Sequence, residues 1–333
     1  MTDARVTLDV TVEAFPLANP FTISRGTRTE ATVVVARLGD GTHEGYGECV
    51  PYARYGETVE GVCDTIRAQA DALGGGMDRA ALGEALPNGA ARNALDCALW
   101  DLEAKRAGRR AWEIAGLDEP GPLATVLTIS LAEPAAMEAA AKDAVRDGRT
   151  LLKVKLGGRD GGDAERMEAV RAAAPGATLI VDANEGWRAD ELDRYLAAAR
   201  EIRVAMVEQP LPAGEDAALD GIEAGVPLGA DESAHTRADL DRLAMYDVVN
   251  VKLDKAGGLT EALAMAREAE ARGFALMVGC MMATSLAMAP ATLPAQAARF
   301  VDLDGPLWMA RDRRPGLRYE GERVWPPEAE VWG

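Results

Sequence analysis

From residue 6 onward the chain alternates apolar and polar positions, with Val6, Leu8, Val10 and Val12 on one face of an extended segment. That period of two marks a half-buried strand. Ala31-Thr-Val-Val-Val-Ala-Arg-Leu is short and rich in β-branched residues, so two or three strands are predicted before Gly41. Glu57 to Leu73 and Asp78 to Gly108 then carry apolar residues at helical spacing, the second through Ala91-Arg-Asn-Ala-Leu-Asp-Cys-Ala-Leu-Trp-Asp-Leu. Strands followed by helices predict an α+β unit over residues 1–118.

Beyond residue 122 the rhythm changes. Apolar runs alternate with alanine-rich, charged helical segments, beginning with Thr125-Val-Leu-Thr-Ile-Ser and Leu151-Leu-Lys-Val-Lys-Leu and continuing through Thr178, Val204, Pro227, Asp247 and Ala275 to Arg299-Phe-Val-Asp. A spacing of roughly 25 residues suits a strand, a loop, a helix and a return loop, repeated eight times. Eight such units over residues 119–305 predict a closed α/β barrel rather than an open doubly wound sheet. Neither Gly74-Gly-Gly-Met nor Gly157-Gly-Arg-Asp-Gly-Gly matches the phosphate-binding turn of an open sheet. Residues 306–333 add no further unit and are expected to pack back on the N-terminal domain. Phe274 to Ala298 carries no charge and is long enough to span a bilayer, but Gly279, Pro290, Pro294, Gln296 and its many alanines fit a buried strand and a buried helix better. Asp3, Arg5 and Asp9 interrupt the apolar run that an export signal requires, which predicts a cytoplasmic protein.

Charge narrows the chemistry. The 333 residues hold 36 Lys plus Arg against 54 Asp plus Glu, a net charge of −18, with only two histidines. So acidic a chain lacks the basic footprint that a nucleic-acid or anionic-membrane partner requires. His43 and His235 are too few for a three-histidine zinc site, so the acid and base groups of an enzyme here are not imidazoles. Cys49, Cys63, Cys97 and Cys280 lie far apart with no C-x-x-C, as in a reducing compartment, and Cys280 reads as an inert thiol in the pocket wall.

Charged residues fall at the C-terminal ends of the apolar runs, the face where barrel enzymes place their chemistry. Asp182, Glu208 and Asp231 end three successive runs. Any one of them alone is adequately explained as a turn or capping residue, but three converging carboxylates repel unless a cation lies between them. With no His or Cys offered, the oxygen ligands favour Mg²⁺, or Mn²⁺ in its place, over zinc. Lys153 and Lys155 share one strand face, as Lys252 and Asp254 do in the sixth run. Lys155 and Lys252 approach the mouth from opposite sides and become general bases if burial and neighbouring cations, Lys153 among them, lower their pKa values. Two bases flanking a metal-bound carboxylate would remove an α-proton from one face and return one to the other, through an enediolate that the metal stabilises.

Lys153-x-Lys155, Val181-Asp-Ala-Asn-Glu, Val207-Glu-Gln-Pro-Leu, Ala230-Asp-Glu-Ser and Asn250-Val-Lys-Leu-Asp-Lys-Ala-Gly-Gly, in this order, resemble the enolase superfamily, in its muconate-lactonising-like subgroup. Within it the chain is similar, over essentially its whole length, to the dipeptide epimerases. The resemblance implies an N-terminal α+β capping domain over a modified TIM barrel, (β/α)₇β, with one Mg²⁺ held by Asp182, Glu208 and Asp231 and with Lys155 and Lys252 as the two bases. It also implies that Lys153 contacts the substrate carboxylate and that Thr128 contacts substrate. Asp302 and Asp304 would hold the ammonium of a dipeptide. Pro20 to Arg28 would form a mobile specificity loop in which Arg28 pairs with a substrate glutamate, with Arg25 and Arg54 able to share or replace that role. The implied activity is epimerisation of L-Ala-D-Glu and L-Ala-L-Glu in cell-wall peptide recycling, with a homo-oligomer allowed. Its rivals are another dipeptide specificity, an N-acyl amino acid racemase, whose substrate lacks the ammonium, and a catalytically silent binding protein on the same barrel.

Overall fold

The computed structural model describes residues 5–333; Asp3, part of the N-terminal charge pattern considered above, lies outside the described residues. Three antiparallel strands open the chain: β1 (Thr7–Ile23), β2 (Gly26–Gly39) and β3 (Glu44–Cys49), paired in that order. Four helices follow, α1 (Val59–Arg67), α2 (Ala70–Gly74), α3 (Arg79–Ala85) and α4 (Ala90–Ala107), then the short α5 (Ala111–Ile114). The two long helices expected from periodicity are thus each broken in two. Between α3 and α4, Pro87 supplies no backbone N–H and Gly89 sits at φ 133°, so the second cannot run through. Helix α4 lies directly on β3 because Gly45 and Gly47 lack side chains. A Cβ on Gly47 would stand 2.1 Å from the Ala94 carbonyl oxygen.

Val6, Leu8 and Val10 pack against the core that these helices cover. Val12, read as continuing the same buried face, is 49% exposed because β1 has by then run past the helical layer. The strand's far end packs Phe15 against the larger core instead.

A two-residue strand β4 (Leu123–Ala124) precedes eight parallel strands in sequence order: β5 (Leu127–Ile129), β6 (Leu151–Lys155), β7 (Thr178–Asp182), β8 (Met206–Glu208), β9 (Leu228–Ala230), β10 (Val248–Val251), β11 (Ala275–Val278) and β12 (Phe300–Val301). Val126 N donates to Val301 O (2.9 Å) and Leu303 N to Thr125 Oγ1 (2.9 Å), linking the first and last strands across the seam. Val126, Ile180, Met206, Val248, Met277 and Phe300 fill the interior below the strand ends, so the barrel is a packed core with its opening at one end.

The return segments are α6 (Pro134–Arg146), α7 (Asp163–Ala173), α8 (Leu192–Glu201), α9 (Leu253–Ala256) with α10 (Leu259–Ala271), and α11 (Ser285–Ala291). Two repeats depart from the expected strand-helix unit. After β8 and β9 the chain returns through single 3₁₀ segments, Asp216–Leu219 and Arg237–Arg242. In the first, Gly214, Gly221 and Gly225 at positive φ interrupt any longer helix. Phe274 to Ala298 forms β11, α11 and a 3₁₀ turn, and no helix among the described residues is long and apolar enough to cross a membrane.

After α12 (Gly305–Trp308), the tail forms β13 (Tyr319–Glu320) and β14 (Arg323–Val324), which pairs with β4. It ends against α4, where Trp332 Nε1 donates to Cys97 O (3.1 Å) and Gly333 N to Asp101 (2.7 Å).

Candidate active site

Asp182 and Glu208 are the last residues of β7 and β8, and Asp231 follows β9 directly. All three are buried, and one oxygen from each lies within 4.8 Å of the others. The chain leaves these strands under strain: Asn184, Glu185 and Gln209 hold positive φ values of 45°, 64° and 35°, conformations that non-glycine residues keep only where surrounding structure compels them. Gln209 does so because its side-chain carbonyl accepts from Asp231 N (2.9 Å) and Ser233 N (3.2 Å), which fixes the third acid. Asn250 Nδ2 donates to Glu208 Oε1 (2.7 Å), while the buried Glu208 Oε2 accepts no well-aligned hydrogen bond. Burial, followed by the charge of Asp182, pushes the Glu208 carboxyl up to about 6. Glu208 Oε2 faces the Lys153 ammonium at 2.8 Å, but three buried carboxylates within 4.8 Å of one another offer an all-oxygen donor set, which fits a hard divalent cation.

The lysines meet these acids from opposite sides. Lys155 ends β6 and places Nζ 2.6 Å from Asp182 Oδ2, while Lys252, just past β10, stands 2.6 Å from Asp231 Oδ2. Burial alone would lower the Lys252 pKa, but Asp231, Glu208 and Glu232 raise it above its ordinary value. Those three acids belong to, or adjoin, the cluster that would hold a cation, and it is their charge that holds the ammonium protonated. Lys155 and Lys252 both line a cavity of about 200 Å³ at the barrel mouth. Lys153 does not line it. Its ammonium lies beneath, 2.7 Å from Asp302, 2.8 Å from Glu208 and 3.2 Å from Asp182. Asp254 does not share the Lys252 face either: the chain turns into α9 after Lys252, and Asp254 instead accepts from Val50 N (3.0 Å) and Asn93 Nδ2 (2.9 Å).

Asp302 and Asp304 also line the cavity. They lie beyond the short β12, so a turn rather than strand alternation brings them together. Asp304 Oδ2 accepts from Thr128 N (2.8 Å) and Trp308 Nε1 (3.3 Å), which joins Thr128 to the acid pair through its backbone. Burial and then the Asp302 charge push the Asp304 carboxyl up to about 6. Cys280 completes this wall, and burial with the two neighbouring acids keeps its thiol protonated.

The expected loop at Pro20–Arg28 is the tip of the β1–β2 hairpin, paired Phe21 to Arg28, Thr22 to Thr27 and Ile23 to Gly26. It is pinned to the barrel mouth. Thr22 N donates to Ser130 Oγ (2.7 Å), Ser24 Oγ to Asn184 O (2.8 Å), and Arg25 to Glu232 (2.7 Å) and Glu185 (3.1 Å). Arg54 is also engaged, 2.6 Å from Glu185. Arg25 and Arg28 both line the cavity, and of the three arginines Arg28 alone has no carboxylate partner among the described residues.

Sequence reasoning missed Lys255 and Glu232. Lys255 is buried and directs its ammonium to Asp231 Oδ1 (2.6 Å), Asp231 O (2.5 Å) and Asn250 O (2.9 Å). Its signal was the second lysine of Lys252-x-x-Lys255, three residues on and therefore on the same side of a helical turn. Glu232 is buried next to Asp231, and its carboxyl is pushed up to about 7 by burial and by that charge.

A parallel barrel with three clustered acids and two facing lysines at its C-terminal strand ends is the framework of an acid–base enzyme that works beside a hard cation. Comparison with known proteins gives the class its family. Residues 5–116 match the mandelate racemase / muconate lactonizing enzyme N-terminal domain, and residues 136–330 match the enolase C-terminal domain-like family. The chain belongs to the enolase superfamily. It is 48% identical over 314 residues to the L-Ala-D/L-Glu epimerase of Escherichia coli (strain K12), across 94% of this chain and 97% of that one. It is also 42% identical to an N-acetyl-D-glutamate racemase from a Pseudoalteromonas species, across 90% and 95%. A crystal structure of an enolase family member from Agrobacterium tumefaciens, with bound sodium and L-Ala-L-Glu, is 54% identical, covers 98% of this chain and 100% of that one, and superposes with a TM-score of 0.95.

Proposed function

We propose that this protein is a Mg²⁺-dependent dipeptide epimerase of the L-Ala-D/L-Glu type, inverting the α-carbon of the C-terminal residue by two-base proton transfer. The observation that carries this reading is the placement of Lys155 and Lys252 in one cavity, each 2.6 Å from a different member of the same acid cluster. Asp182, Glu208 and Asp231 would hold the cation. When bound, it would take over the carboxylate charge that otherwise holds Lys252 protonated, and disperse negative charge on the substrate carboxylate as the α-proton leaves. One lysine removes that proton and the other delivers a proton to the opposite face of the carbon. Lys153, paired beneath the site with Asp182, Glu208 and Asp302, would reach the substrate carboxylate once a cation takes over Asp182 and Glu208; Asp302 and Asp304 would hold the substrate ammonium beside Thr128, and Arg28 would take the side-chain carboxylate.

On this reading residues 1–118 govern specificity, residues 119–305 carry the chemistry and residues 306–333 tie the two together. The reaction belongs in the cytoplasm, in recycling of cell-wall peptides. N-acyl glutamate racemisation is the second reading, favoured by the racemase relative at 42% identity. The paired acids oppose it, since an N-acyl group offers no cation to two buried carboxylates.

The test is proton NMR of L-Ala-D-Glu in D₂O with enzyme and Mg²⁺, beside N-acetyl-D-glutamate. Deuterium at the glutamate α-carbon together with the L,L epimer is expected. Neither exchange nor inversion of the dipeptide, with turnover of the acyl amino acid, would replace the first reading by the second.

A further inference from the structure

Arg25 and Arg28 line the cavity, with Arg54 close by on Glu185, and among the described residues only Arg28 of these three has no carboxylate partner. Arg25 and Arg54 are neutralised by Glu232 and Glu185. An arginine held by a carboxylate is positioned, but its charge is balanced and its N–H groups are occupied by that partner; one left in solvent keeps both but has no defined place. Arg28, exposed at the hairpin tip, is placed differently: its guanidinium carbon lies 5.4 Å from the centroid of the Tyr52 ring, which Arg25 also approaches at 5.7 Å, with its own N–H groups taken by carboxylates. An aromatic face attracts the cation while leaving its N–H edge available for a bidentate anion.

The ring is itself immobilised. Tyr52 Oη accepts from Arg25 Nη2 (3.0 Å) and Nε (3.2 Å), and Tyr52 N donates to Glu57 Oε2 (2.9 Å). Tyr55 packs edge-on at 5.2 Å and in turn rests on His235 at 4.5 Å. The charge pairs of Arg25 thus fix the hydroxyl, and the ring passes that order on to Arg28 without neutralising it.

We propose that Tyr52 is the positioning residue for acidic-substrate recognition, presenting Arg28 from its aromatic face to the side-chain carboxylate of the dipeptide. This deepens the proposed function and rests on it. The experiment measures kcat and KM for L-Ala-D-Glu and its neutral isostere L-Ala-D-Gln with wild type, Tyr52→Leu and Tyr52→Phe. Tyr52→Leu is expected to raise KM for the Glu dipeptide about tenfold while kcat stays within about twofold and the Gln dipeptide is unaffected. Tyr52→Phe keeps the ring, the Tyr55 contact and the backbone bond to Glu57 but loses the Arg25 bonds to the hydroxyl, so its KM for the Glu dipeptide should fall between wild type and Tyr52→Leu. In an Arg28→Leu background, Tyr52→Leu should cause no further loss of Glu-over-Gln preference.

Equal losses on both dipeptides, an unchanged preference in Tyr52→Leu, or a Phe variant as impaired as the Leu variant would each overturn the inference while leaving the epimerase reading intact. A wild-type enzyme that turns over neither dipeptide would overturn both. Should Tyr52→Leu not fold, Tyr52→Phe and the Arg28→Leu preference still decide: complete loss of preference in the first, or its retention in the second, contradicts the proposal.

Discussion

Lys155→Ala and Lys252→Ala each remove one of the two groups between which the α-carbon would sit. Each is expected to lower epimerisation at least about a thousandfold, because inversion needs both. One variant should still exchange the α-proton of a single epimer, since the remaining lysine faces only one side; loss of inversion with retained one-sided exchange is readable by NMR in D₂O. A second expectation concerns Asp304, whose carboxyl burial and Asp302 push up to about 6. Above that pH it is ionised and pairs with an ammonium; below it the charge is lost. KM for the dipeptide should therefore rise as pH falls through about 6, and Asp304→Asn should remove this limb of the KM profile while weakening binding throughout. Asp182, Glu208 and Asp231 were legible in sequence because each closes a short apolar run. Lys255 was not, because its meaning depends on α9 turning it back onto Asp231. Arg28 could not be told from Arg25 and Arg54 until their carboxylate partners, on segments over a hundred residues away, were in place.

At the scale of elements, the cap and the barrel meet where the Asp254 carboxylate on α9 accepts from Val50 N and Asn93 Nδ2. Burial pushes this carboxyl up to about 7, above its usual 3.8. A carboxyl raised in the folded state contributes stability that is fully present below the unfolded value and is lost as pH rises through the folded one. Asp254→Asn preserves both accepted bonds without the charge. It should flatten the dependence of stability on pH between about 4 and 7, and should be more stable than wild type at pH 8 by up to about 4 kcal/mol. Urea unfolding at pH 5 and pH 8 checks both expectations. Periodicity could not foresee this role, since it placed Asp254 on an extended strand beside Lys252. Similarly, the Pro20–Arg28 segment is expected as a loop on the strength of the family resemblance alone. It is a hairpin because β2 supplies its pairing partners and Ser130 and Asn184 supply its anchors.

Over the whole molecule, three buried acids from three strands share a point that only the folded chain assembles, so a cation bound there stabilises the fold by mass action. At a hundredfold excess over its Kd, Mg²⁺ should add about 2.7 kcal/mol, a rise of a few degrees in thermal midpoint for a chain of this size. EDTA should reverse that rise and remove epimerase activity, and Asp231→Asn should abolish the Mg²⁺-dependent shift in differential scanning fluorimetry. The order of the eight strands and the acids and lysines at their ends could be read from the chain alone. Those features are local: a strand's period and its terminal residue are set within a few positions, and eight equal repeats leave few ways to close. Tertiary structure alone decided which charges are free and which are already paired. The Lys153 ammonium sits under the site, Asp254 joins the cap to the barrel, and Arg28 remains open while Arg25 and Arg54 do not. A charge is defined by what lies within a few ångströms of it, and those neighbours come from segments that the sequence keeps far apart.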